Sequence, residues 1–155
     1  MEKTNVMRIL DKQQIKYDVH VYDNSLTDGK LVAKACEKDG QQVFKTLVAV
    51  GSDLNHYVFV VPVEEVLSLK KAAKSVGVKS VAMIKQKELL PLTGYIHGGC
   101  SPIGMKKQFV TVINDTAMLF ETICFSGGKI GMQIEADPMQ IAQFVGAKFD
   151  DIIEY

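Results

Sequence analysis

Two dense apolar runs constrain this chain more than anything else in it. Residues 43–50 read as strand throughout, and residues 57–61 follow as a second run after the turn sequence Gly51-Ser52-Asp53-Leu54-Asn55. Runs of this kind, separated by a short Gly/Asp/Asn segment, predict a β-hairpin. The rest of the chain has to be arranged around it.

The flanking pattern is mixed. Residues 4–14 predict a helix, with Val6, Ile9 and Leu10 on one face and Thr4 able to cap its start. Residues 15–22 alternate as a strand, in which Tyr17, Val19 and Val21 oppose Asp18, His20 and Tyr22. A helix is expected over 28–38. Another is expected to open at Pro62 and run over 63–76 to a Gly77 C-cap. A short strand over 78–84 leads to a helix over 85–90 that Pro91 should stop. A glycine-rich loop then covers 93–104, followed by strands over 109–113, 121–125 and 130–134. The pair Asp137-Pro138 predicts an N-cap and first turn for a helix reaching Val145, and 149–155 predicts an edge strand. Hairpins interleaved with helices give an α+β class: one domain over 1–155, with a mixed, largely antiparallel sheet and flanking helices.

Charge narrows the function. The 155 residues carry 18 Lys plus Arg and 18 Asp plus Glu, which excludes a globally basic nucleic-acid binder. The balance is uneven, however: net −2 over 1–66, +7 over 67–107 and −5 over 108–155. A basic segment attracts phosphates locally even when the chain is neutral. Cys36, Cys100 and Cys124 form no CxxC pair, so neither a disulfide scaffold nor a zinc site is expected. His20, His56 and His97 show no metal-ligand spacing, and no cofactor motif is present. With no leader-like start and no run of about 20 apolar residues, a cytoplasmic protein without membrane contact is expected.

Three segments can carry chemistry. Lys45 interrupts the first apolar run and shares a face with Leu47 and Ala49. Such a lysine either reaches solvent from a strand edge or stands at a pocket rim and presents its ammonium to a phosphate. The segment Thr93-Gly94-Tyr95-Ile96-His97-Gly98-Gly99-Cys100-Ser101-Pro102-Ile103-Gly104 has paired glycines that let backbone approach a ligand closely. Lys106 and Lys107 follow directly. The spacing is neither GxxxxGK[ST] nor GxGxxG. The turn Ser126-Gly127-Gly128-Lys129 is the third segment. A nucleophilic pairing of Cys100 with His97 is conceivable, although residues three apart in a loop need not face each other.

Taken in order, these pieces resemble the YbaK/EbsC family of small aminoacyl-tRNA deacylases. The matching stretches are Phe44-Lys45-Thr46-Leu47, Leu69-Lys70-Lys71-Ala72-Ala73-Lys74, Thr93-Gly94-Tyr95, Gly98-Gly99-Cys100-Ser101-Pro102-Ile103-Gly104, Val112-Ile113 and Ser126-Gly127-Gly128. The resemblance implies a fold like that of the prolyl-tRNA synthetase editing domain. It implies editing in trans: release of a wrong amino acid, chiefly cysteine, from tRNA(Pro) and also from tRNA(Cys), with prolyl-tRNA synthetase as a transient partner. By the same resemblance Lys45 holds the terminal adenosine or its phosphate, and Gly98 and Gly99 present backbone groups to the ester. Tyr22, Thr46, Ser101 and Ser126 line the substrate pocket, and Lys70, Lys71, Lys74, Lys106 and Lys107 meet the tRNA. Deacylation of Ala-tRNA(Pro), and tRNA or synthetase binding without catalysis, are the alternatives. Cys100 departs from the aliphatic residue expected in many relatives.

Overall fold

The structure is a computed structural model that describes residues 2–155. Its elements run α1 (Asn5–Lys12), β1 (Tyr17–Val21), α2 (Gly29–Ala35), β2 (Phe44–Gly51), β3 (His56–Pro62), α3 (Leu69–Val76), β4 (Val81–Met83), α4 (Gln86–Thr93), β5 (Val110–Asn114), a 3₁₀ turn (Asp115–Leu119), β6 (Ile123–Ser126), β7 (Met132–Ala136), α5 (Pro138–Val145) and β8 (Lys148–Asp150). The class is α+β, as expected. The strands form two sheets, a three-stranded one ordered β1-β7-β6 and a five-stranded one ordered β4-β2-β3-β5-β8. Pairings are antiparallel except β3 with β5 and β5 with β8. A parallel bridge between Val43 and Cys124 joins the sheets.

The β2–β3 hairpin is buried on both faces. Phe44, Val48, Val58 and Val60 enter the main core with Val6, Met7 and Leu10 of α1, Phe125 and Ile134 of the small sheet, and Ile141 of α5. Ala49, Tyr57, Phe59 and Val61 face the other way, onto Ala72 and Ala73 of α3 and onto Ile152 and Ile153. A hairpin without a polar face needs cover on both sides, and the helices supply it.

Several boundaries differ from expectation: the strand expected over 78–84 is only Val81–Met83, that over 149–155 is Lys148–Asp150, and two helix boundaries move for a clear local reason. The helix expected from 63 begins only at Leu69. Pro62 still pairs with Phe44, and the Val63 N–H donates to Val43 O at 2.8 Å, so strand pairing claims these residues first. The helix waits for Ser68, whose hydroxyl accepts from the Lys71 N–H. Pro91 lies inside α4 rather than ending it. Its missing N–H removes a single helical bond, while the Gly94 N–H still reaches Leu90 O at 2.8 Å and the Thr93 hydroxyl reaches Leu89 O at 2.7 Å. Gly94, at φ 88°, then stops the helix. The 3₁₀ turn has no apolar period to announce it. No helix among the described residues is long and apolar enough to cross a membrane.

Candidate functional site

Strand β2 creates the site by pairing incompletely. On one side it pairs with β3 from Phe44 to Val50. On the other it meets β4 only at Ala49, Val50 and Gly51, and the small sheet only through the Val43–Cys124 bridge. The stretch from Phe44 to Leu47 thus has one open edge. Gln42 O accepts from the Cys124 N–H and Val48 O from the Ile84 N–H on that side, whereas Val43 O faces β3. Backbone direction alternates along a strand, so Phe44 and Thr46 turn their N–H and C=O groups into the gap.

The gap is a cleft of about 370 Å³. The start of α2 forms one wall, with Asp28, Gly29 and Lys30; the β2 stretch and Val63 form another; Tyr22, Ser126 and Gln133 of the small sheet and its loops, with His97, Gly98 and Cys100, complete it. Asp28 shapes the α2 wall, since its carboxylate accepts from the Lys30 and Leu31 N–H groups and caps the helix. Gly29 lets that helix start touch Val63, just past the end of β3: a β-carbon on it would lie 2.6 Å from Val63 Cγ1.

Of the residues singled out from sequence, Tyr22, Lys45, Thr46, Gly98 and Ser126 line the cleft together. Lys45 is half-buried. Burial lowers its ammonium below the ordinary lysine range and neighbouring Lys30 lowers it further, while Asp28 and Glu65 act in the opposite direction. The cation is therefore poorly solvated, and an anion arriving beside it would be favoured. Ser126 Oγ accepts from the Gly128 N–H at 3.2 Å, and the Tyr22 N–H donates to Gly131 O at 2.9 Å.

Gly99 and Ser101 stand behind the wall. The Gly99 N–H donates to Ile96 O at 3.0 Å, and its Cα side packs on the backbone of Lys129 and Ile130, where a β-carbon would come within 3.2 Å. Ser101 is fully buried, and its hydroxyl accepts from the Ile103 N–H. With the Tyr95 hydroxyl donating to Ile103 O, these contacts fix the loop so that Gly98, at φ 88°, faces the cleft.

The basic residues lie outside the cleft lining. Lys70, Lys74, Lys106 and Lys107 are exposed. Lys71 is held: its ammonium meets Asp151 at 3.0 Å and Ile153 O at 2.8 Å, and sits over the Tyr155 ring.

Sequence reasoning missed Gln133, Asp28 and Lys30, all on the cleft wall. Gln133 alternates with Glu135 on one face of β7, an ordinary polar-face pattern that carried no signal for the first. It also missed a cluster beside the cleft. His20, Cys124 and Glu135 present ligand atoms within 4.8 Å of one another, although they are distant in sequence. Glu135 is already engaged, taking His20 Nε2 at 2.7 Å, the Lys38 ammonium at 3.1 Å and the Thr122 hydroxyl at 2.5 Å. Burial alone would raise this carboxyl; the hydrogen bonds from Thr122, His20 and Lys38 outweigh it and hold it at about 2. Burial pushes the Cys124 and Cys100 thiols up to about 12, so neither is a thiolate near neutral pH.

Residues 23–144 match a family model described as an aminoacyl-tRNA editing domain. A protein of Enterococcus faecalis with the provisional name Cys-tRNA(Pro)/Cys-tRNA(Cys) deacylase EbsC is 40% identical over 153 residues, spanning 97% of this chain and 93% of the relative. A crystal structure described provisionally as a trans-editing enzyme for prolyl-tRNA synthetase superposes with a TM-score of 0.86 at 24% identity, covering 100% of both chains. The crystal structure of a hypothetical protein gives 0.88 at 19% identity, covering 96% of this chain and 99% of that one.

Proposed function

The chain belongs to the aminoacyl-tRNA editing domain family, and from that premise we propose that it deacylates mischarged Cys-tRNA(Pro) in trans. The observation that carries this proposal is the convergence of Tyr22, Lys45, Thr46, Gly98 and Ser126, from separate segments, on one cleft.

Lys45 binds the terminal adenosine or its phosphate, and its partial desolvation strengthens that contact. Gly98 presents backbone to the ester carbonyl as it becomes tetrahedral, and Gly99 holds Gly98 there through the Ile96 turn and its packing on Lys129 and Ile130. Tyr22, Thr46 and Ser126 shape the pocket, and Ser101 sets the loop from behind. Exposed Lys70, Lys74, Lys106 and Lys107 meet tRNA phosphates, while Lys71 is largely committed to Asp151. Prolyl-tRNA synthetase is the transient partner that supplies tRNA identity, and tRNA(Cys) is a secondary substrate.

The cleft lining is poor in activated nucleophiles. The Cys100 thiol is held neutral, the Asp28 carboxylate caps a helix, and His97, the one imidazole of the lining, is solvent-exposed. This favours attack by the substrate's own thiol. The sulfur bonds to the ester carbon, the bond to the ribose oxygen breaks, and the thiol proton passes to that oxygen. The cyclic thioester is then hydrolysed by water to free cysteine. Such a route needs positioning rather than a protein base.

Rates on Cys-, Ala- and Ser-tRNA(Pro), with mass detection of the released product, test the proposal. Fast release from Cys-tRNA(Pro) through a trappable thiolactone is expected. Equal rates on all three would remove the thiol-assisted route, a preference for Ala-tRNA(Pro) would change the substrate, and turnover of none with tRNA retained would mean a binding module.

A further inference from the structure

Two buried polar atoms of residues lining the cleft have no hydrogen-bond partner: the Thr46 hydroxyl oxygen and the Gln133 side-chain oxygen. Gln133 is only 6% exposed. It lies on the central strand of the small sheet, opposite His20 of β1 and Ser126 of β6. Met132 and Ile134 on either side of it point into the main core, so the Gln133 side chain leaves the sheet on the opposite face, at the cleft. A buried acceptor left unpaired costs about 1–3 kcal/mol, and an apolar residue of similar size at this position would avoid that cost. An oxygen left unsatisfied at a cleft wall is satisfied when a donor enters.

We propose that Gln133 Oε1 and Thr46 Oγ1 together receive the α-amino group of the aminoacyl ester, which makes Gln133 a substrate-recognition residue. This assignment rests on the deacylase function proposed above. The carboxamide oxygen can only accept, so its partner must be a donor. The Thr46 hydroxyl can accept or donate, and a thiol is too weak a donor to satisfy the Gln133 oxygen well. An amino group can donate to both oxygens. A ribose hydroxyl can donate to Gln133 and accept from Thr46, but it is present in both esters of the test below, which therefore separates it from the amine. Neutral acceptors also suit a wall that already carries Lys45, because they bind the amine without drawing the lysine into an ion pair.

The test pairs each protein with two esters: Cys-tRNA(Pro), and tRNA(Pro) acylated with 3-mercaptopropionate, which keeps the thiol and lacks the amine. Gln133→Leu is expected to lower kcat/KM on Cys-tRNA(Pro) by at least about tenfold while changing the amine-free ester by less than about twofold. Thr46→Val should behave alike. Gln133→Glu, of equal size and a stronger acceptor, should retain the preference for the amine. Equal losses on both esters would mark Gln133 as merely structural and overturn the proposal. So would an unchanged rate of Gln133→Leu on Cys-tRNA(Pro). If wild type turns over alanyl but not cysteinyl ester, the alanyl and propionyl pair gives the same comparison. If wild type turns over no aminoacyl ester, the deacylase function fails and this assignment fails with it.

Discussion

Gly29 and Val63 are in contact so close that a β-carbon on the glycine would fall 2.6 Å from Val63 Cγ1. The start of α2 is thereby seated against the end of β3, with both residues on the cleft wall. Gly29→Ala should destabilise the fold by about 1–3 kcal/mol through overpacking and reduce deacylation. Val63→Gly in the same chain, which removes both Cγ1 at 2.6 Å and the Cβ at 2.8 Å, should restore part of both losses. Urea unfolding and kcat/KM on Cys-tRNA(Pro) measure this, and a double variant no better than Gly29→Ala alone would mean that the glycine acts otherwise.

Replacing Lys45 should separate stability from activity. At neutral pH its partly desolvated ammonium disfavours the folded state, a penalty that is relieved as pH rises from its lowered value toward the ordinary lysine range. Lys45→Met should therefore leave stability unchanged or raise it by about 1 kcal/mol. Deacylation should fall at least about 100-fold. A variant that is unfolded as well as inactive would contradict the burial argument.

Glu135 should give the protein an acid-sensitive component of stability. Its carboxyl is held at about 2, against an ordinary value of 4.5, by Thr122, His20 and Lys38 acting against its burial. A lowered folded-state value contributes stability that is present above the unfolded value and lost as pH falls from about 4.5 to about 2. Glu135→Gln should cost about 2 kcal/mol at pH 7 and flatten that acid limb. Unfolding midpoints measured across pH 2–7 check both; an unchanged acid limb would show that other carboxylates carry it.

Cys100 lines the cleft, yet its buried thiol is held at about 12. Cys100→Ala should retain kcat/KM within about threefold, because a neutral thiol is a poor nucleophile. It should lower stability by about 1 kcal/mol through the lost sulfur contacts. A loss of about 100-fold or more, with the fold intact, would make the cysteine the attacking group instead of the substrate's thiol.

What the chain determined by itself was local. The hairpin from Val43 to Val61 follows from two apolar runs and the Gly51-to-Asn55 turn. The Asp137-Pro138 cap starts α5 where the sequence puts it, because both residues act within one helical turn. The order of short motifs around Lys45, Gly98 and Ser126 was also legible, and with it the family. Whatever depended on partners distant in the chain was not legible. The start of α3 was displaced because Pro62 and Val63 are claimed by pairing with Phe44 and Val43. The cleft exists because β2 keeps one edge unpaired between the Val43–Cys124 bridge and β4, a fact of sheet topology that no local pattern encodes. Gln133 alternates with Glu135 on one face of β7, as polar residues do in any half-buried strand. Only the packing of three sheet strands against α2 and β2 buries its oxygen without a partner, because hydrogen bonding within a fold is settled by which distant groups come into reach.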